Sequence, residues 1–289
     1  MDDKQDSQAG WSRAQWLVWA GLPVAILVGM AIGWMASGRA MSHSALWLAH
    51  QQIFISLNQA LNTLAAPVWL CLTLLGDTSV ALLLISPLMV MWPRAWFSVL
   101  LAVPLGGLYS VVLKNLAAVP RPAAVLDYTL FTIIGPVLTG HNSVPSGHSI
   151  TAMAVAAAVL AALMPRPRRW LHAVWMLGAV LLGLAVCLSR IAVGAHWPLD
   201  VAAGAAGGWL AGLWGAAIGR RWQYPEKYSL RNPYILCLLI AMFAFWPMLM
   251  FKRPENDVYE LALLSAVGVS GWVTSVALFF KFRNRDKLA

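Results

Sequence analysis

The chain has 289 residues, of which 60% are hydrophobic and only 11% are charged. A soluble globular domain carries roughly 25% charged residues, so this composition excludes an ordinary soluble protein and predicts one built into a membrane. A formal net charge of +9 would favour nucleic acid as a partner in a soluble protein, but here the Lys and Arg stand in short clusters between apolar runs. Such clusters indicate membrane topology, and no nucleic-acid partner is expected.

Apolar runs of about 20 residues predict the elements, since a helix of about that length crosses the hydrocarbon core. The expected class is all-α, a polytopic transmembrane helical bundle. The eight predicted spans lie near residues 16–36, 78–92, 96–114, 147–164, 170–189, 198–218, 233–251 and 259–280. Between the first two spans, residues 44–75 are apolar but dotted with Gln and Asn, a pattern typical of helices that lie on the membrane surface.

The spans divide the chain into three regions. Residues 1–60 are expected to form an N-terminal span and an outer surface segment, residues 61–220 a core, and residues 221–289 a C-terminal transmembrane hairpin. With the N-terminus inside, 14 of the 20 Lys and Arg residues fall on cytoplasmic segments. The positive-inside rule therefore predicts that both termini are cytoplasmic.

A first polar cluster, KNLAAVPRP, closes the third span. Pro120 and Pro122 each lack an amide donor and clash with the preceding turn, so the helix must end before them. Lys114 is therefore expected at the helix end and Arg121 on the loop that follows. A charge at the rim of a membrane span is a candidate functional residue by default.

A second cluster, VPSGHS, begins the fourth span. Ser146 is a good helix N-cap, and Gly147 allows a ligand close to the backbone. Free amides at a helix N-terminus bind phosphate. We therefore expect an anion site that includes Ser146 and Gly147, with His148 directly beside it.

A third cluster, SRIAVGAHWPLD, joins the fifth and sixth spans. Pro198 favours the first helical turn, which places His196 just before the sixth helix and Asp200 about one turn inside it. A carboxylate bonded to one ring nitrogen fixes the tautomer, frees the other nitrogen to attack and stabilises the developing cation. His196 is therefore predicted as the nucleophile, oriented by Asp200.

The other polar residues receive roles that fit this chemistry. His148 has no comparable carboxylate nearby in sequence and follows the phosphate-binding amides, which favours proton donation to the leaving oxygen. Lys114, Arg121 and Arg190 are expected to clamp the oxygens of the transferring phosphoryl group. Because these cations supply positive charge and no outer carboxylate cluster resembles a magnesium site, no metal or other cofactor is expected.

The order and spacing of the three clusters resemble the signature of the type 2 phosphatidic acid phosphatases, in particular the bacterial membrane-bound branch of this lipid phosphate phosphatase superfamily. The signature residues present are Lys114, Arg121, Pro122, Pro145, Ser146, Gly147, His148, Ser189, Arg190, His196 and Asp200. The resemblance covers roughly residues 60 to 220. It implies a six-helix core, a phosphohistidine on His196, a metal-independent hydrolase, and a site facing the periplasm from a bacterial inner membrane.

The expected function is hydrolysis of a lipid phosphate monoester or prenyl diphosphate at the outer membrane face. A lipid phosphotransferase would need the same clusters, because a phosphohistidine can also pass its phosphoryl group to an acceptor lipid. An anion or lipid transporter is an alternative of another class, although it has no need of a nucleophile backed by a carboxylate. A vanadate-dependent peroxidase has no evident reason to sit within eight spans.

The substrate is open among undecaprenyl diphosphate, phosphatidylglycerophosphate, phosphatidic acid and lipid A phosphate. The expected partners are this lipid and the surrounding membrane lipids. The sequence indicates no oligomeric state and no role for the last two spans.

Overall fold

The structure, a computed structural model, describes residues 12–37, 45–163, 170–222 and 258–286. Within these ranges the regular secondary structure is entirely helical. The α-helices are α1 (Arg13–Ser37), α2 (Ala45–Leu61), α3 (Ala66–Leu75), α4 (Thr78–Leu84), α5 (Leu88–Met91), α6 (Pro93–Ala117), α7 (Gly147–Leu163), α8 (Trp170–Ala192), α9 (Pro198–Arg221) and α10 (Val258–Asp286). The predicted all-α class is confirmed.

Several of these helices are long and apolar enough to cross a bilayer. Among the described residues, four stretches meet this criterion: Ala14–Ala36, Pro93–Ala124, Val174–Ala192 and Pro198–Arg221. Helices α2 and α3 meet it only as a pair, bent by 112° at the break between them, as in a broken span or a re-entrant loop. The chain is therefore a multi-pass membrane protein.

Two predicted spans need correction or qualification. The span expected at 78–92 is wrong as a single helix, because α4 ends at Leu84 and α5 begins only at Leu88. Pro87 lies in the break, where its ring and missing amide donor interrupt the helical hydrogen bonds. The span expected at 233–251 lies outside the described residues, so α10 is the described part of the predicted C-terminal hairpin.

Helices α7 and α9 pack in parallel through a face of glycines. An added Cβ on Gly204 would collide with the carbonyl oxygen of Ser146, and one on Gly208 would collide with that of Ile150. Both helices thus advance by four residues between these contacts. Small residues let two backbones approach closely inside a membrane protein, and here they bring the first turns of α7 and α9 to the same level.

Helices α6 and α8 end where α7 and α9 begin. On α6, Tyr109 donates a hydrogen bond of 3.0 Å to the carbonyl of Ala203 near the start of α9. After α8 the chain turns back at once, and the amide of His196 donates to the carbonyl of Arg190 at 3.2 Å. Four helix termini therefore meet at one end of the bundle, which we call the site end.

The outer helices fix the direction of the chain relative to the site end. Trp16 of α1 packs on Trp214 of α9, with ring centroids 5.6 Å apart, so α1 begins at the opposite end of the bundle. Ser86, which follows α4, donates to Thr274 of α10 at 3.2 Å, while the earlier Leu264 clusters with Val80. Helix α10 therefore runs beside α4 and away from the site end.

Candidate active site

His196 lies on the tight turn between α8 and α9 and is only 2% exposed. Gly194 permits this turn because its φ of +75° lies in the left-handed region that favours glycine. The amides of Ala195 and His196 both donate to the carbonyl of Arg190, at 3.1 and 3.2 Å. The backbone of the predicted nucleophile is thereby tied to the end of α8.

Asp200 lies one turn into α9, as the sequence predicts, and its side chain is fully buried. Its Oδ2 accepts the Trp197 amide at 2.9 Å and lies 3.4 Å from Nδ1 of His196. A proton held on Nδ1 faces this carboxylate, which leaves Nε2 with the lone pair needed for attack.

Ser143 is a member of the site that the sequence reasoning missed. Its hydroxyl is fully buried, donates a short hydrogen bond to Oδ2 of Asp200, and lies 3.5 Å from Nδ1 of His196. Asp200 therefore has two fixed donors, this hydroxyl and the Trp197 amide, besides the imidazole. The only sequence signal was a serine three residues before the conspicuous Ser-Gly-His run.

The predicted cations converge on the turn that carries His196. Arg121 donates to the carbonyl of Ala195 at 3.3 Å through Nη1 and to Asn142 at 3.1 Å through Nε. Arg190, 6% exposed, donates to the hydroxyl of Thr73 on α3. The sequence reasoning also missed Thr73, because no local pattern marks a threonine in an apolar helix.

Burial and charge together lower the pKa of His196. Burial is the largest cause and holds the pKa well below the ordinary value of 6.5. The positive charges of Arg190 and Arg121, followed by His148 and Lys114, lower the pKa further. The imidazole is therefore neutral near pH 7, the protonation state of a nucleophile. This electrostatic coupling also shows that all four of these side chains lie near His196.

The second cluster forms the predicted helix start. The Ser146 hydroxyl accepts from the amide and hydroxyl of Ser149, at 3.4 and 3.0 Å, as an N-cap does. The Ser146 amide donates to the carbonyl of Asp200 at 3.0 Å and so joins the two helix starts. Ser146 is buried, whereas Gly147 and His148 are half-buried and therefore accessible. An added Cβ on Gly147 would meet nothing within 4 Å, so space for a ligand lies beside it.

A cavity of about 290 Å³ begins at Gly147 and His148 and continues between α4, α6 and α7. Its walls are mostly apolar, with Val99, Val103 and Ile150 among them. Its volume lies near the lower limit of ligand pockets, which is about 300 Å³. A narrow apolar space therefore leads from the predicted general acid into the helical bundle.

The part of the chain that the structure describes contains no group of three or more His, Cys, Asp or Glu side chains that could hold a metal ion. Lys114, Arg121 and Arg190 bring positive charge close to His196. The fold and the site together define a multi-pass helical membrane protein. A buried histidine with cationic side chains nearby lies at one end of its helical bundle.

Comparison with known proteins finds a family match. The sequence profile of the PAP2 superfamily matches residues 95–224, the segment that holds all three clusters. This segment is therefore similar to the PAP2 superfamily, the family that the clusters resemble.

Curated relatives match over a similar length of the chain. A lipid A 1-phosphatase of Rhizobium etli is 39% identical over 109 residues, which is 36% of this chain and 42% of the relative. An undecaprenyl-diphosphatase of Sulfolobus acidocaldarius is 35% identical over 117 residues, 40% of this chain and 48% of the relative. The chain thus spans less than half the length of these relatives. Among solved structures, the crystal structure of Aquifex aeolicus LpxE matches with a TM-score of 0.46 and 25% identity over 60% of this chain and 94% of that one.

Proposed function

We propose that this protein is a lipid phosphatase that hydrolyses a lipid phosphate monoester or a prenyl diphosphate through a phosphohistidine on His196. The observation that carries the proposal is the buried His196–Asp200 pair, 3.4 Å apart, with Arg121 and Arg190 beside it. A histidine backed by a carboxylate is a nucleophile, and surrounding cations stabilise a transferring phosphoryl group.

The reaction divides into two steps. Nε2 of His196 attacks phosphorus, the bond between phosphorus and the leaving oxygen breaks, and His148 donates a proton to that oxygen. Water then attacks the phosphohistidine and gives a proton to the neutral His148, the bond between phosphorus and Nε2 breaks, and inorganic phosphate and the neutral imidazole of His196 are released. In both steps Lys114, Arg121 and Arg190 hold the phosphoryl oxygens, the electrostatic role that dominates phosphoryl transfer.

An amphiphilic substrate fits the surroundings of this site. The cations lie at the ends of apolar helices, where a lipid headgroup meets protein, and the apolar cavity continues from His148 into the bundle. The names of the two curated relatives, a lipid A 1-phosphatase and an undecaprenyl-diphosphatase, support the same substrate class.

The proposal includes a membrane orientation. The positive-inside bias favours a bacterial inner membrane protein whose site end faces the periplasm, with both termini in the cytoplasm. The opposite placement of the α1 start and the His196 turn supports this orientation.

Phosphate release by the purified protein tests the function. The substrates are phosphatidic acid, phosphatidylglycerophosphate, undecaprenyl diphosphate and lipid A phosphate. At least one should be hydrolysed, and His196→Ala should abolish turnover. His141→Ala should leave turnover unchanged, because His141 is exposed on the loop between α6 and α7 (residues 118–146), which we call the outer loop. Phosphate release that persists in His196→Ala contradicts the proposed nucleophile. Transfer of phosphate to an added acceptor lipid in place of release identifies a phosphotransferase.

A further inference from the structure

Asn58 of α2 is fully buried and has all its hydrogen-bonding groups engaged with the backbone of two other segments. Its Nδ2 donates to the carbonyl oxygens of Thr132, Ile191 and Ala192 at 3.0, 2.9 and 3.0 Å. Its Oδ1 accepts the amide of Thr132 at 2.8 Å. The sequence predicted that the polar residues of this helix lie on the membrane surface, but Asn58 points into the protein.

Two of the carbonyls that Asn58 binds, those of Ile191 and Ala192, belong to the last turn of α8. The final carbonyls of a helix have no amide partner within that helix, so a side-chain donor that reaches them fixes how the helix ends. Asn62, one turn later and just past the end of α2, adds a second donor to the carbonyl of Ala192 at 2.9 Å. The same turn of α8 carries Arg190, and the chain reaches His196 only four residues after Ala192.

The outer loop joins the same arrangement. The amide of Ile134 donates to the carbonyl of Val193 at 3.3 Å. An added Cβ on Gly194 would lie 2.9 Å from the carbonyl oxygen of Thr132, so the two segments are already in close contact. Through Thr132, Asn58 therefore holds the loop against the turn that presents His196.

We propose that Asn58 is a positioning residue for His196, and that the catalytic unit therefore begins at α2. This helix lies outside the segment 95–224 that matches the family profile and outside the predicted core of residues 61–220. The inference rests on the proposed function, since it concerns the nucleophile of that reaction. It predicts that a residue in α2 affects the chemical step rather than the binding of lipid.

Asn58→Asp tests the inference because it keeps the shape of the side chain, removes both N–H donors and places a carboxylate against three carbonyls. A nucleophile displaced by about 1 Å loses roughly a hundredfold in rate, so kcat should fall by about that factor, with KM changed by less than about threefold. The matched control is Gln59→Glu, the same chemical change on the neighbouring residue, whose exposed amide donates to the carbonyl of Leu130 at 3.1 Å. This control should retain wild-type kcat.

Measurements use the full chain purified in detergent, with only the monodisperse fraction assayed. A purely structural role for Asn58 lowers the yield of folded protein but leaves kcat of that fraction unchanged, and this outcome overturns the inference. If Asn58→Asp yields no folded protein, Asn62→Asp decides, because it removes one donor to the same carbonyl; kcat should fall several-fold, and an unchanged kcat overturns the inference. A wild-type chain without phosphatase activity contradicts the proposed function instead.

Discussion

The surroundings of His196 lower its pKa and so favour the neutral ring. An imidazole excluded from water loses the hydration that stabilises its charged form, and nearby arginines repel an added proton. Both effects favour the neutral ring, and Asp200 and Ser143 then orient it.

The lowered pKa of His196 sets the acid limit of the reaction. Since the neutral ring persists below pH 6.5, kcat/KM on p-nitrophenyl phosphate should decline only as the pH falls below that value. Arg190→Gln removes a charge that lowers the pKa, so the decline should begin at a higher pH in this variant. His196 binds more protons in the unfolded chain than in the folded chain below pH 6.5, so the contribution of this residue to stability falls as the pH falls there. An acid limb above pH 6.5 in the wild type contradicts this assignment.

The contribution of His148 to the rate should depend on the leaving group of the substrate. A phosphate monoester expels an alkoxide that needs a proton, whereas a diphosphate expels a phosphate whose second pKa is about 6. General acids contribute about a hundredfold to ten-thousandfold. His148→Ala should therefore cost about that factor on phosphatidic acid and clearly less on undecaprenyl diphosphate or p-nitrophenyl phosphate. Equal rate losses on good and poor leaving groups would assign His148 to phosphate binding.

At the scale of elements, the sequence predicted helix boundaries well where neighbouring residues determine them. The proline pair after Lys114, the Ser146 cap and the Pro198 helix start each fix a boundary within a few residues of the structure. His196 and Asp200 meet because they are one helical turn apart.

What the sequence did not reveal depends on contacts between distant segments. Ser143 is 57 residues from its partner Asp200, and Thr73 is 117 residues from Arg190. Asn58 is 133 residues from Ile191 in the chain. The sequence around Asn58 shows only polar residues in an apolar helix, a pattern that predicts a position on the membrane surface. No periodicity within one helix distinguishes a polar side chain that faces water from one that binds the end of another helix.

The cavity between α4, α6 and α7 gives an element-scale prediction. Gly107 of α6 lines it, and an added Cβ there meets nothing within 4 Å, so Gly107→Leu fills the space without a backbone collision. If the hydrocarbon of the lipid occupies this cavity, KM should rise roughly tenfold or more on a long-chain lipid phosphate, as expected for a lost apolar contact of about 1–3 kcal/mol. Turnover of p-nitrophenyl phosphate should not change.

The matched control for this prediction is Gly178→Leu on α8, where an added Cβ also meets nothing within 4 Å but the position is outside the cavity. It should leave both substrates unaffected. Equal effects of Gly107→Leu on lipid and soluble substrates would assign the cavity no part in lipid binding.

For the whole molecule, the arrangement of helices separates the start of α1 and the far end of α10 from the site end. Both chain ends should therefore be on the membrane face opposite His196. In the proposed orientation, that face is cytoplasmic.

Cysteine labelling of spheroplasts tests the orientation. In a variant in which Cys71, Cys187 and Cys237 are replaced by alanine, a membrane-impermeant maleimide should label Val125→Cys in the exposed outer loop and not Pro167→Cys between α7 and α8. Position 167 lies outside the described residues; α7 ends at Leu163 and α8 begins at Trp170, both at the end of the bundle away from His196. Labelling at 167 with protection at 125 would reverse the orientation.

The parallel packing of α7 and α9 has an electrostatic consequence. Aligned peptide dipoles give each helix roughly half a positive charge at its N-terminus and half a negative charge at its C-terminus. Two positive ends therefore point toward the site proposed for phosphate, while the negative ends of α6 and α8 carry Lys114 and Arg190 in their last turns. In the proposed reaction, part of the field that attracts the anion comes from the backbone itself. Replacing Lys114 by a neutral residue both removes a cation and exposes the negative end of α6.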